Sequence, residues 1–117
     1  MSAKSMQSPD FQFIRSSAAP ATSPEPGLVR CVGAYNDSLL LAEHRMQKGW
    51  VGARHQHPHH QLVYVVSGEL LVTIGNETFT AHPGDSFVLR GGVEHQASAL
   101  EDSVVIDVFT PCRHEYL

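Results

Sequence analysis

Four of the eight histidines in this chain, His55, His57, His59 and His60, fall within six residues and run directly into Gln61. Local enrichment of that kind serves either a metal ion or an exposed polar loop. Alternate residues of an extended segment share a face, so His55, His57 and Gln61, all of one parity, can aim at a single point provided Pro58 inserts no bulge. Imidazole nitrogen and amide oxygen are both competent ligands for a divalent first-row metal. His95, just beyond a Gly91-Gly92 turn, supplies a further ligand from a distant part of the chain. Such a set leaves room on the ion for a substrate or water and suits Ni, Zn, Fe, Mn or Co. Three neutral imidazoles and an amide also leave the whole 2+ charge on the ion, which favours an anionic substrate oxygen. His59 and His60 are expected outside the metal's ligands, and His44, His82 and His114 as ordinary surface or packing residues.

A second group lies in the C-terminal run VVIDVFTPCRHEYL. Asp107 interrupts an otherwise apolar strand, and a buried carboxylate is costly unless it is paired or used. The pairing alternatives are Arg90 and Arg113. Phe109 shares the parity of Asp107 and is read either as a pocket wall or as core. Arg113, two residues past Pro111, can return to the mouth of a barrel or fray with the terminus.

The elements that would hold these residues are short. LVRCV (28–32), SLLLAEHRM (38–46), QLVYVVS (61–67), ELLVTI (69–74), ETFTA (77–81), SFVL (86–89) and SVVIDVF (103–109) are rich in β-formers. Gly75-Asn76, Pro83-Gly84-Asp85 and Ser67-Gly68 separate them as turn signals. No amphipathic helix with start and stop signals is found, and Leu39–Arg45 is too short and uncapped to be one. The pattern predicts an all-β antiparallel sandwich or barrel. Residues 1–27, rich in Ser, Pro and Ala, are expected as an extended arm with at most a short strand near Phe11–Arg15; 28–117 form the folded domain.

With 117 residues there is room for one core, and 42% hydrophobic residues suit it. A net charge of -4 with no basic stripe argues against nucleic acid as a partner. No apolar run approaches the roughly 20 residues of a membrane helix, and the N-terminus lacks a secretory signal's apolar centre. A cytoplasmic location is therefore expected, with Cys31 and Cys112 as free thiols.

The run G-x-x-H-x-H-x-x-x-Q from Gly52, closing at Gly68, resembles the first motif of the cupins, and PGDSFVLRGGVEH (83–95) resembles the second. That resemblance implies a jelly-roll β-barrel, the double-stranded β-helix, commonly a homodimer with the metal inside. Gln61 stands where many cupins carry a glutamate, and Arg90 and Ala99 depart from the Pro and Asn of the second motif. The ending D-x-F-x-P-x-R, here Asp107, Phe109, Pro111 and Arg113, resembles the small single-domain cupins of pectin and alginate degradation, the KdgF type. The resemblance implies conversion of a small anionic sugar acid, a 4,5-unsaturated monouronate, to its linear keto form. Under it, Asp107 is the expected general acid/base, Arg113 contacts the carboxylate and Phe109 walls the pocket. The competing expectations are an iron-dependent cupin dioxygenase and a non-catalytic sugar-binding module, since fold alone does not fix chemistry.

Overall fold

A computed structural model describes residues 5–8 and 10–117, and the described chain is built from β-strands and two short 3-10 turns. Residues 1–4 and 9 of the expected arm lie outside the described residues. In chain order the strands are β1 (Met6–Gln7), β2 (Gln12–Phe13), β3 (Ala21–Glu25), β4 (Leu28–Asn36), β5 (Leu39–Met46) and β6 (His60–Ser67). They continue as β7 (Leu70–Ile74), β8 (Glu77–Ala81), β9 (Ser86–Leu89), β10 (His95–Ala99) and β11 (Ser103–Thr110). A six-stranded sheet of order β3-β4-β5-β11-β6-β9 faces a three-stranded sheet of order β10-β7-β8. Every pairing is antiparallel.

The alternation that predicts strands also says which face is buried. In β11, Ser103, Val105, Asp107 and Phe109 are buried, and in β6 Val63 and Val65 are buried while Leu62, Tyr64 and Val66 are exposed. The main core joins the two sheets: Leu28, Met46, Val63, Val65 and Val105 meet Leu70, Val72, Ala81 and Ala99. Each Leu, Val or Met side chain of this kind contributes about 1.5–3 kcal/mol when fully buried. A second cluster of Val32, Leu40, Ala42, Phe109 and Cys112 closes the end where the C-terminus returns.

Two differences from the sequence expectation matter. β10 has the sequence HQASA, with no β-branched, aromatic or large aliphatic residue, yet it pairs along β7 from His95↔Ile74 to Ala99↔Leu70. The second concerns the first 27 residues. The short strand expected near Phe11–Arg15 falls at Gln12–Phe13, and Ala21–Glu25 pairs with β4 at the edge of the large sheet.

The turn glycines are used for close approach. A Cβ on Gly68, at φ +90°, would sit 2.2 Å from Ser103 Oγ, so the β6–β7 corner admits no side chain. A Cβ on Gly91 would lie 2.0 Å from the carbonyl oxygen of Pro58. Beside it, Gly92 N–H donates to His57 O at 2.7 Å and Gly91 N–H to His60 Nδ1 at 3.1 Å, so this turn clasps the histidine loop. Gly91→Ala is therefore expected to cost about 1–3 kcal/mol as an overpacking change, read as a lowered melting temperature of the metal-free protein. An unchanged melting temperature would show that the clasp is slack.

Candidate metal centre and its cavity

His55 and His57 sit on an extended segment that leaves β5, runs beside β10 and bends at Pro58–His59 before β6 begins. A backbone bridge pins it: His55 N–H donates to His95 O at 3.0 Å, and His95 N–H returns the bond to His55 O at 2.8 Å. The imidazoles of His55, His57 and His95 thereby come together, with one nitrogen of each lying within 4.8 Å of the others. Ring centroids are 4.4 Å apart for His55–His95 and 4.9 Å for His57–His95. This group is able to hold a metal ion.

The hydrogen bonds of the rings say which nitrogens are free. Nδ1 of His55 faces Ala53 O at 2.9 Å, Nδ1 of His95 faces Val93 O at 2.9 Å, and Nδ1 of His57 faces His59 O at 3.1 Å. A carbonyl only accepts, so each Nδ1 carries the proton of a neutral ring and each Nε2 keeps its lone pair for a metal. Burial, reinforced by the charge of Arg113, holds His57 below the usual histidine range, against the opposing effect of Gln61. Burial likewise lowers His95, the Val93 carbonyl opposing it. Neutral rings are the form that ligates.

Gln61, at the start of β6, stands beside the three imidazoles. Its Oε1 lies 3.0 Å from His57 Nε2, and its Nε2 donates to Asp107 Oδ1 at 2.8 Å. A neutral His57 has one proton and faces two oxygens, so one of those contacts is between two acceptors. A cation resolves the conflict. The donor set thus fits a divalent metal on the chemistry of its own contacts.

These residues open on a cavity of about 240 Å³ lined by His55, Gln61, His95, Asp107, Phe109 and Arg113. His57 stands behind that lining, edge-on to Phe109 with ring centroids 5.7 Å apart. Asp107 is buried and accepts from Gln61 and from His44, whose Nδ1 lies 2.6 Å from Oδ2; among the described residues it pairs with neither Arg90 nor Arg113. Phe109 is at once core and cavity wall. Arg113 does not fray: its guanidinium carbon lies 4.9 Å from the Phe109 ring centroid, and Nη1 donates to Tyr116 Oη at 2.7 Å.

Three further polar residues line the cavity outside the sequence motifs. His44, expected as an ordinary histidine, is buried against Asp107. Arg30 projects inward from β4 with its guanidinium carbon 3.6 Å from the Tyr116 ring centroid, and that of Arg113 lies 4.4 Å from the same centroid. Inward parity on β4 and β5 was the available signal: Leu28, Arg30 and Val32 share one face, as do Leu40, Ala42, His44 and Met46. His59 is buried beside Phe109, while His82 and His114 are on the surface.

A protein-family model for the cupin domain matches residues 42–109, the stretch that carries all four candidate ligands. This chain belongs to the cupin family. Its jelly-roll is shared by KdgF from Halomonas sp., which is 37% identical over 90% of this chain and 99% of that one, with a TM-score of 0.85. An RmlC-like cupin from Shewanella frigidimarina is 30% identical over 90% of this chain and 95% of that one, with a TM-score of 0.86. Oxalate decarboxylase from Bacillus subtilis, at 21% identity and a TM-score of 0.72 over 82% of this cupin and 28% of that chain, shares the fold alone. No curated protein matches the sequence closely enough to count as a relative. Among the described residues no helix is long and apolar enough to cross a membrane.

Proposed function

We propose that this cupin is a metal-dependent enzyme that opens the ring of a 4,5-unsaturated monouronate to the linear 5-keto-4-deoxyuronate. The observation that carries the reading is the cavity's division of labour. A three-histidine, one-glutamine centre lies at one side, a buried carboxylate beside it, and two guanidinium groups stack on one tyrosine. The likeness to KdgF from Halomonas sp. supports the same substrate class.

A divalent ion held by His55, His57, Gln61 and His95 would supply a Lewis acid for a substrate oxygen. Arg113 and Arg30 bind the uronate carboxylate through charge-assisted hydrogen bonds. Arg30 is suited to this because, among the described residues, its terminal nitrogens have no protein partner; only its Nε is engaged. Asp107 takes the proton of the anomeric hydroxyl, using lone pairs beyond the two bonds it already accepts. As C1=O forms, the bond from C1 to the ring oxygen breaks and its electron pair passes to the enolate oxygen on C5. Asp107 then returns its proton to C4, and the C5 ketone results. Phe109 walls the sugar and excludes water.

The test is direct. Metal-loaded protein should consume unsaturated galacturonate or mannuronate, seen as loss of the conjugated-alkene absorbance, without oxygen uptake. No acceleration over buffer with metal present ends the uronate reading; oxygen consumption with iron would move the site to dioxygenase chemistry.

The proposal includes a homodimer and a cytoplasmic setting with Cys31 and Cys112 as thiols. The outer face of the large sheet supports the dimer: Leu62, Tyr64 and Val66 of β6 and Val88 of β9 are exposed together. Contiguous apolar surface of that kind marks an interaction site. The double variant Tyr64→Glu with Val88→Lys is expected to run as a monomer in size-exclusion chromatography with light scattering, and wild type as a dimer. A monomeric wild type would remove the dimer from the account.

A further inference from the structure

The hydrogen bonds behind the candidate metal centre form a single line, and each member fixes the polarity of the next. Arg30 Nε–H donates to His44 Nε2 at 3.0 Å. An arginine has no acceptor and stays protonated, so His44 Nε2 must offer its lone pair. The ring's proton is then on Nδ1, which donates to Asp107 Oδ2 at 2.6 Å. Asp107 accepts at both oxygens, and its Oδ1 takes the amide N–H of Gln61 at 2.8 Å. With its nitrogen committed, Gln61 can present only its oxygen to the histidine cluster, where Oε1 lies 3.0 Å from His57 Nε2.

An amide has two nearly isosteric ends, and only one of them ligates a cation. A free Gln61 would lose that choice to rotation. The line removes the rotation from outside, starting at a cation three strands away on β4. Its central link is shielded from competing water, because His44 and Asp107 are both buried. β4, β5, β11 and β6 are consecutive neighbours in the large sheet, so each member stands on a strand hydrogen-bonded to the next.

We propose that His44 is a positioning residue of the metal centre, held in one tautomer by Arg30, which acts through Asp107 to lock Gln61 with its oxygen toward the metal. The inference rests on the four-ligand centre described above and not on the identity of the substrate. It also gives the sequence a reason for glutamine here: a carboxylate at position 61 would meet Asp107 as a like charge, whereas an amide bridges the carboxylate and the ion.

Cobalt(II) alone is the probe, read by its visible absorption and by competition with a chelator. Partners one step removed from a metal typically account for about 10–100-fold in affinity. His44→Leu, which leaves Asp107 without this donor, is expected to bind cobalt about 10–100-fold more weakly and with an altered spectrum. His44→Asn places an amide N–H where Nδ1 stands, and should recover most of the affinity and the wild-type spectrum. The melting temperature of each metal-free variant separates loss of fold from loss of positioning. A purely structural role would lower that temperature in His44→Leu and leave the cobalt spectrum as in wild type, which overturns the proposal. Long-range nitrogen-15 spectra of the imidazoles should find His44 protonated at Nδ1; protonation at Nε2 alone overturns it as well. A wild-type chain that takes up no cobalt overturns the centre and the line together, whereas failure to turn over a uronate leaves both standing.

Discussion

Asp107→Asn is expected to lower turnover of the unsaturated uronate by about 10²–10⁴ at saturating metal, the range that general acid–base catalysis supplies. The loss has two parts. Asparagine cannot take the anomeric proton, and it also cannot accept at both ends of its side chain. Asp107 now satisfies two donors, His44 Nδ1–H and the Gln61 amide. In the variant one of those donors meets an N–H. If Gln61 turns to satisfy it, the amide nitrogen faces the histidines and the ion loses an oxygen ligand. Metal affinity should therefore fall too, so the assay must be run across metal concentration. A residual rate that does not recover at saturating metal assigns the loss to proton transfer. Wild-type turnover in the variant would remove Asp107 from the chemistry.

The second large effect concerns the ligands themselves. His57→Ala and His95→Ala each remove an imidazole whose Nδ1 is tied to a backbone carbonyl and whose Nε2 is thereby free to ligate. Both are expected to abolish metal-dependent turnover and to remove the stabilisation that metal gives. A ligand at 100 times its Kd stabilises the folded state by about 2.7 kcal/mol. For a domain of this size that is a shift of roughly 10 °C in Tm. Wild type should show that rise on addition of metal and lose it with a chelator. Both alanine variants should melt at the same temperature with and without metal. A metal-dependent rise that persists in His95→Ala would place the binding elsewhere.

Which parts of this arrangement were legible in the sequence follows from the physics of each part. The strands that carry Val, Ile and Leu in alternation are visible because burial of one sheet face imposes a period of two. β10 is not, because His95–Ala99 is held by pairing along β7 and by the bridges from Val51 and His55, not by its own side chains. His55, His57 and His95 are readable from motif spacing, which reflects the Gly91-Gly92 turn clasping the loop of His57. Parity alone is a weaker guide, since His55 and His57 lie on an irregular extended segment ahead of β6 and not within a regular strand.

Asp107 is conspicuous as a charge in an apolar strand, but its partners are not predictable from spacing. Arg90 is on the surface, Arg113 packs on Phe109 and Tyr116, and the partners are His44 and Gln61 on the two strands that flank β11. His44 and Arg30 carry the matching signal, a polar residue at an inward position, yet each reads as ordinary until β4, β5 and β11 are known to be neighbours. Lateral order in a sheet is a tertiary fact, and it is what turns three separate oddities into one hydrogen-bonded line.

Tyr116 shows the same limit at the chain's end. Burial pushes its phenol above the usual tyrosine range, against the lowering effect of Arg113 and Arg30. It therefore stays a neutral hydroxyl while its ring carries both guanidinium groups. Nothing in HEYL as a sequence distinguishes that role from a trailing terminus.

The central claim is that three imidazoles and one amide oxygen meet on a single cation. X-ray absorption at the metal edge of the protein, loaded with one equivalent of cobalt or zinc, reads that shell directly. One ion per chain is expected, with multiple-scattering features of three imidazoles and additional oxygen scatterers near 2.1 Å. A bound ion surrounded only by oxygen, or fewer than three imidazoles in the shell, would contradict it.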